Sequence, residues 1–285
     1  MMIEIRHSYS FSQLGNRQNQ EDNRCPDQDS IDGRQRYFAV CDGVGGNDYG
    51  EVASKTVCDT LDKELSRYEL TENTFDDSDL SHVLNNVYDS LDRVSDSQSS
   101  DMGTTLALLV IHNGGAMLAH IGDSRIYQMR PSIGIVYRSE DHSLVNEMVK
   151  AEIITEEDAA HHPQRHVINR AISPATSGRE RNAATVAHVK DIMENDVFLL
   201  CSDGVTDTIP DEELTEILLN RIPLKERMGR LARRCVDSDD NNTCIVVEIS
   251  SAMMLPDDRQ TTITQVSPQK SQSPSFLEKI MKWLK

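Results

Sequence analysis

The stretch from Tyr37 to Gly46, YFAVCDGVGG, constrains this chain more than any other. The apolar and β-branched run from Tyr37 to Cys41 predicts a buried strand. The run stops at Asp42, and glycine fills three of the next four positions. A carboxylate fixed to the end of a rigid strand, beside a loop bare enough for backbone to approach a ligand, suits a metal or phosphate site. An Asp-Gly pair after a strand is also an ordinary turn signal. Recurrence separates the two readings. Asp123 follows MLAHIG, Asp203 follows VFLLCS and Asp240 precedes NNTCIVVEI, so four strand-end aspartates each stand beside Gly, Ser or Asn.

Strands that share a common sheet edge would bring those carboxylates together. Uncompensated, such carboxylates take up protons instead of ionising. Divalent cations with oxygen ligands resolve the repulsion, and all-carboxylate sets favour Mg²⁺, Mn²⁺ or Ca²⁺ over zinc or copper. Glu21 and Asp22, in the NQED loop, offer two more acidic ligands. Two cations about 3.5–4 Å apart can share a water, lower its pKa and hold it for in-line attack on phosphorus. A phosphate also needs a positive clamp, for which arginine's fork is best suited, and Arg17 lies four residues before Glu21.

The formal charge of −18 over 285 residues excludes general affinity for nucleic acid, which needs a basic surface. With 38% hydrophobic and 27% charged residues, the chain can bury a sizeable core. The six cysteines show no CxxC spacing, and Cys41, Cys201 and Cys244 lie inside apolar runs, which points to a reducing compartment and gives no support for zinc. The N-terminus MMIEIRHSYS lacks the pattern of a secretory signal, and no segment reaches the roughly 18 apolar residues of a membrane span. The expected location is cytoplasmic.

Residues 3–11 alternate as a half-exposed strand does, and GNRQNQEDN reads as a loop. Val57, Leu61 and Leu65 mark one amphipathic helix over 50–66, and Leu80, Leu84, Val87, Leu91 and Val94 a second. An acidic, exposed connection around Glu69–Asp79 separates them. GTTLALLVI and AMLAHIGDSRIYQM flank a turn at His112–Gly115, a hairpin signal. Residues 140–182 read as a polar flap, 184–189 and 196–203 as strands, 211–219 and 227–235 as short helices, and 242–250 as a final strand. Early and late strands around paired helices fit α+β layers better than alternating βαβ units. The expected organisation is one domain over 1–250, a Gln/Ser/Pro-rich flexible linker over 251–275, and a short amphipathic helix over 276–285. That helix is marginal alone in water, and its apolar face suits a partner groove, its own domain or a membrane surface.

Eight blocks occur in the order found in a known family: GNRQNQED (15–22), FAVCDGVGG (38–46), GTTL (103–106), HIGDSRIY (120–127), EDHSL (140–144), INRAI (168–172), CSDGVTD (201–207) and DNNT (240–243). The chain resembles the metal-dependent Ser/Thr protein phosphatases of the 2C type, in their compact bacterial form, over roughly residues 8–250. The resemblance implies an α+β fold, a central antiparallel β-sandwich flanked by α-helices on both faces, with Mn²⁺ or Mg²⁺ at one end of the sandwich, two per site with a weaker third. By the same resemblance Asp42 bridges both metals and the Gly43 carbonyl is a further ligand. Asp203 and Asp240 are direct ligands of one metal, and Glu21 and Asp22 bind metal-held water and orient the nucleophile. Arg17 clamps the substrate phosphate, and Asp123 with Asp203 holds the third metal.

The chain departs from the family pattern in three of its motifs. Val44 stands where some members place a histidine that protonates the leaving alkoxide, which leaves a metal-held water near Asp123, or His142, as the proton donor. Gln20 replaces an asparagine, and Asn169 and Ser173 replace threonine and glycine in the flap. His120 reads as a packed strand histidine.

The implied activity is hydrolysis of phosphoserine and phosphothreonine in proteins by attack of a metal-bridging water, opposing a Ser/Thr kinase. Phosphorylated proteins and a cognate kinase are the expected partners. Two alternatives stand beside it. A non-catalytic binder of phosphoproteins or kinases would have lost acidic positions, and none is lost. A phosphoesterase for small molecules would use the same metal chemistry, although the chain lacks a nucleotide-cradling GxxxxGK[ST] loop.

Overall fold

The computed structural model describes residues 3–44, 49–95, 102–175, 181–252 and 260–268. In chain order the first part comprises β1 (Ile3–Gln13), β2 (Asn23–Cys25), β3 (Ser30–Ile31), β4 (Tyr37–Cys41) and β5 (Gly43–Val44). Two long helices follow, α1 (Gly50–Leu65) and α2 (Asp77–Ser95), then β6 (Gly103–Thr104), β7 (Leu106–His112), β8 (Gly115–Ile121), β9 (Arg125–Arg130) and β10 (Gly134–Arg138). The flap holds α3 (Leu144–Lys150) and α4 (Glu156–Ala160). The last part runs β11 (Ala184–Val189), β12 (Val197–Cys201), α5 (Asp203–Thr206), α6 (Asp211–Leu218), α7 (Leu224–Cys235), β13 (Asn242–Ala252) and β14 (Thr261–Val266).

The apolar run at β4 is continuous because its two faces meet two different cores. Phe38 and Val40 pack between sheets, while Ala39 and Cys41 pack against helices. Strand β12 divides the same way: Phe198 and Leu200 face the first core, and Val197, Leu199 and Cys201 face another layer of helices. This period-2 division is what a strand buried on both sides requires. Two antiparallel six-stranded sheets result, ordered β10-β9-β12-β13-β1-β3 and β14-β11-β8-β7-β4-β2. Helices α1 and α2 cover the second sheet through Val57, Leu61, Leu84 and Leu91. Helices α6 and α7 cover the first through Leu214, Leu218 and Leu231. The layers run α-β-β-α.

Three sequence expectations need correction. The expected linker over 251–275 contains an ordered edge strand: β14 pairs with β11 from Ala184↔Val266 to Val189↔Thr261. Its backbone bonds hold it, because only Val266 of its six residues is buried, so composition alone conceals it. The connection between α1 and α2 is also only partly exposed. Leu70 and Phe75 are buried, and Phe75 meets Tyr68 edge-on at 5.0 Å. The helix expected over 276–285 lies outside the described residues.

The second arm of the predicted hairpin is two strands. β8 belongs to one sheet and β9 to the other, so the chain changes sheets within Gly122–Ser124. Gly122 takes φ +101°, and a Cβ there would lie 2.7 Å from Thr105 Cγ2, so the corner requires glycine. The corner carries Asp123. Among the described residues no helix is long and apolar enough to cross a membrane.

Candidate active site

Five chain segments end at one end of the sandwich, and each delivers an acidic side chain. The loop after β1 brings Glu21 and Asp22, the end of β4 brings Asp42, and the sheet-changing corner brings Asp123. The first residue of α5 is Asp203, and the loop before β13 carries Asp240. Glu21, Asp42, Asp123, Asp203 and Asp240 line a single cleft of about 740 Å³, together with Arg17 and Gly43. Asp22 lies beneath it, 3% exposed.

Close backbone packing makes this convergence possible. Gly43 N–H donates to the Glu21 carbonyl at 3.1 Å, and a Cβ on Gly43 would lie 2.4 Å from the Gly50 backbone. The α1 helix therefore starts directly against the Asp42 loop. Thr105 N–H donates to the Asp42 carbonyl at 2.8 Å, while Asp42 N–H donates to Thr105 Oγ1 at 3.0 Å. Asn241 staples the loop that carries Glu21: its Nδ2 donates to the Leu14 and Asn19 carbonyls, and its Oδ1 accepts from Glu21 N–H at 2.8 Å. These contacts fix where the carboxylates sit before any ligand arrives.

The electrostatics are those of crowded, buried acids. Burial, then repulsion from Asp22 and Asp203, holds Asp42 well above the usual carboxylate range. Burial likewise lifts Asp22 to about 7, against hydrogen bonds from Ser202 and Thr243 that act the other way. Asp123 rises to about 8, through burial and then the charges of Asp203 and Asp141. Asp22 Oδ1 and Asp203 Oδ1 are buried with no hydrogen-bond partner. Orphaned buried oxygens in an all-oxygen acidic cluster are what divalent cations satisfy, so the residues present fit such ions. Arg17, half exposed at the rim, sets Nη2 2.6 Å from Asp240 Oδ2.

The flap supplies residues that the sequence reading missed. Arg165, His166 and Asp207 line the same cleft. Asp207 lies four residues after Asp203, a spacing that puts both on one helical face and that the CSDGVTD block displays. His166 Nδ1 stands 3.8 Å from Asp203 Oδ2 and 3.6 Å from Asp207 Oδ2, and the Asp203 carboxylate raises its pKa. Nothing in the local sequence marks His166, because the flap's return path decides its position.

The structure also settles two histidines. His120 is buried, stacks on His142 at 4.5 Å between ring centroids, and its Nε2–H donates to the Glu140 carbonyl at 2.8 Å. His142 Nδ1 accepts from Gly122 N–H at 3.1 Å, and Nε2 meets Thr185 Oγ1 at 2.8 Å. Burial and the neighbouring His120 push its pKa down to about 3. Its ring is committed to the corner that carries Asp123, so His142 is corrected from candidate proton donor to positioning residue. Val44 lines the cleft and offers no proton.

Comparison with known proteins agrees with this geometry. The family model for protein phosphatase 2C matches residues 15–242. The chain is 30% identical over 221 residues to the serine/threonine phosphatase stp of Listeria monocytogenes, covering 75% of this chain and 84% of that one. The serine/threonine phosphatase Stp1 of Staphylococcus aureus superposes with a TM-score of 0.75 at 27% identity, covering 88% of this chain and 98% of that one. The catalytic domain of the serine/threonine protein phosphatase PstP, in complex with two manganese ions, gives 0.70 at 27% identity, covering 88% and 100%. With eight motifs in family order, a sandwich whose edges gather the acids, and a family match over most of its length, this chain belongs to the protein phosphatase 2C family.

Proposed function

We infer that the protein hydrolyses phosphoserine and phosphothreonine in other proteins, using divalent cations. The observation that carries this reading is the convergence of acidic side chains from five segments on one cleft with an arginine at its rim. Asp42, Asp203 and Asp240, with the Gly43 carbonyl, are the groups suited to hold two cations, and we propose Mn²⁺ or Mg²⁺. When bound, such a pair offsets the acidic charge, stabilises charge on a phosphoryl group and supplies a nucleophile at neutral pH.

The chain's own residues do the rest. Glu21 and Asp22, fixed by Asn241 and Ser202, orient the attacking water through their oxygens. Arg17 swings from Asp240 to the substrate phosphate, whose two oxygens match its fork. Water oxygen bonds to phosphorus as the P–O bond to serine or threonine breaks, and a proton reaches the departing oxygen from solvent in the open cleft. Val44 at the cleft wall leaves that last role to water. A binding-only role has no support in a site that keeps every acidic position.

A cognate Ser/Thr kinase and its targets are the natural source of substrate, and residues 276–285 would serve to localise the enzyme to a partner or a membrane surface. The test is phosphate release from a phosphothreonine peptide with Mn²⁺, then with excess chelator, beside a phosphotyrosine peptide and a nucleotide. Metal-dependent release from the phosphothreonine peptide, with little from the nucleotide, is the expected result. Equal turnover of the nucleotide would replace this reading with a small-molecule phosphoesterase.

A further inference from the structure

Three residues stand opposite one another across β8, β11 and β14: His120, Thr185 and Gln265. His142 lies against this row from the flap. Its ring stacks on His120, and its Nε2 meets Thr185 Oγ1 at 2.8 Å. Gln265 Nε2 reaches the same Thr185 Oγ1 at 2.7 Å. We propose that Gln265, on the C-terminal edge strand, is a positioning residue for the active site, acting through Thr185 and His142 on the corner that carries Asp123. The inference rests on the phosphatase reading only for what that corner does.

Chemistry fixes the donors along this path. The Gly122 N–H can only donate, so His142 Nδ1 accepts there at 3.1 Å and the ring proton sits on Nε2. Nε2–H therefore donates to Thr185 Oγ1. At the outer end Arg170 Nη1 lies 3.4 Å from Gln265 Oε1, and a guanidinium can only donate. The amide NH₂ of Gln265 is thus turned towards Thr185. The threonine oxygen accepts from imidazole and amide together, which occupies both of its lone pairs. Losing the amide would free this hydroxyl to rotate, and the hydroxyl is what holds the imidazole at Nε2.

What the imidazole holds is the corner itself. Both backbone groups of Gly122 bond to His142: its N–H donates to Nδ1, and its carbonyl accepts from the His142 N–H at 2.9 Å. Gly122 has φ +101°, and Asp123 follows it directly. A tilt of the ring therefore moves Asp123. Gln265 itself is exposed, stands outside the cleft lining and lies beyond residues 15–242, which the family model matches. Its amide also joins two parts of the molecule, because Arg170 belongs to the flap and Thr185 to the sheet. The strand that steadies Asp123 is the one that leads towards residues 269–285, so a displacement of β14 would be felt at the active site.

The test reads the corner without relying on turnover. In the full chain with diamagnetic Mg²⁺, the His142 Nε2–H should give a resolved proton–nitrogen resonance, assigned by its loss in His142→Gln. In Gln265→Ala that resonance should broaden through exchange with water. Equilibrium dialysis should show the weakest Mn²⁺ site, the one suited to Asp123, losing about 3–10-fold in affinity, the effect of one neutral hydrogen bond. With a phosphothreonine peptide kcat should fall by a similar factor while KM holds, because Arg17 is untouched. Thr185→Val should give the same losses, and the double variant should lose no more than either alone, since both act through one imidazole. A lower melting temperature with resonance and affinity unchanged, or additive losses in the double variant, overturns the inference and leaves the phosphatase reading intact. A wild type that binds Mn²⁺ yet releases no phosphate is a failure of the phosphatase reading alone, and resonance and affinity still decide the role of Gln265.

Discussion

Ser202 Oγ donates a 2.7 Å hydrogen bond to Asp22 Oδ2, joining the end of β12 to the loop before β2. The same oxygen accepts from Thr243 N–H at 3.0 Å. A buried hydroxyl thus holds the Asp22 carboxylate in place and favours its charged form, although burial outweighs it and lifts the pKa to about 7. Removing such a supporting hydrogen bond typically costs about 10–100-fold in metal affinity or turnover. Ser202→Ala is expected to lose that much Mn²⁺ affinity by calorimetry, with no change in the circular dichroism spectrum.

Crowded carboxylates stabilise function and destabilise the metal-stripped fold. Asp42 lines the cleft, crowded by Asp22 and Asp203. A cation at 100 times its dissociation constant adds about 2.7 kcal/mol to stability. Chelator should therefore lower the melting temperature of the wild type. Asp42→Asn should melt higher than wild type in chelator, gain little from Mn²⁺, and release no phosphate. Equal melting temperatures for the two chelated proteins would show that repulsion at Asp42 is unimportant.

His142 gives a pH dependence of definite sign. Its folded pKa is pushed down to about 3, below the 6.5 of the free side chain. Between those values the unfolded chain binds the proton and the folded chain does not, so stability falls as pH drops below 6.5. Above 6.5 the contribution is fully present. Melting curves of wild type and His142→Gln should converge as pH falls from 7 towards 4, because only the wild type carries this penalty.

Asp196 closes the far end of the first sheet. It is fully buried, and its two oxygens accept from Arg130 Nε and Nη2, each at 2.8 Å. Gln128 and the Met193 N–H complete its partners. Asp196→Ala would leave the Arg130 guanidinium with Asp191 as its remaining carboxylate partner, at 2.9 Å, and losing hydrogen bonds to a charged group costs about 1.5–3 kcal/mol. Chemical denaturation should show the loss, while Mn²⁺ affinity stays unchanged because the pair stands outside the cleft.

Two deletions test the C-terminal expectation. Deleting 269–285 should leave hydrolysis of a small phosphoester unchanged, as expected of a localising tail. Deleting 260–285 removes β14, unpairs the edge of β11 and uncovers the core around Val266, whose burial alone is worth about 1.5–3 kcal/mol. The second deletion should melt lower and aggregate through the bared edge, as light scattering would record.

What was legible in the sequence was local. Continuous apolar runs at Tyr37–Cys41 and Val197–Cys201 announced strands buried on both faces, and acidic residues marked where they end. Helical spacing announced α1 and α2. The candidate site residues could be named because their motifs are contiguous, and the structure brings Arg17, Glu21, Asp42, Asp123, Asp203 and Asp240 to one cleft. Three features were not legible. The run AMLAHIGDSRIYQM looks like one strand, and only the approach of Gly122 to Thr105 shows that it turns between sheets. Residues 261–266 look like polar linker, because an edge strand is held by backbone bonds that no side chain advertises.

His166 is the third, and it states the general case. Its neighbours in sequence are ordinary, and its neighbours in space are Asp203 and Asp207, nearly forty residues on. The sequence determined which segments become strands and helices and which carry acid, because periodicity and turn chemistry act over a few residues. The tertiary structure alone decided which of those acids share a cleft, which are buried enough to repel, and which histidine faces them. Those are set by sheets that pair distant strands to bury apolar faces, and local pattern does not contain that pairing.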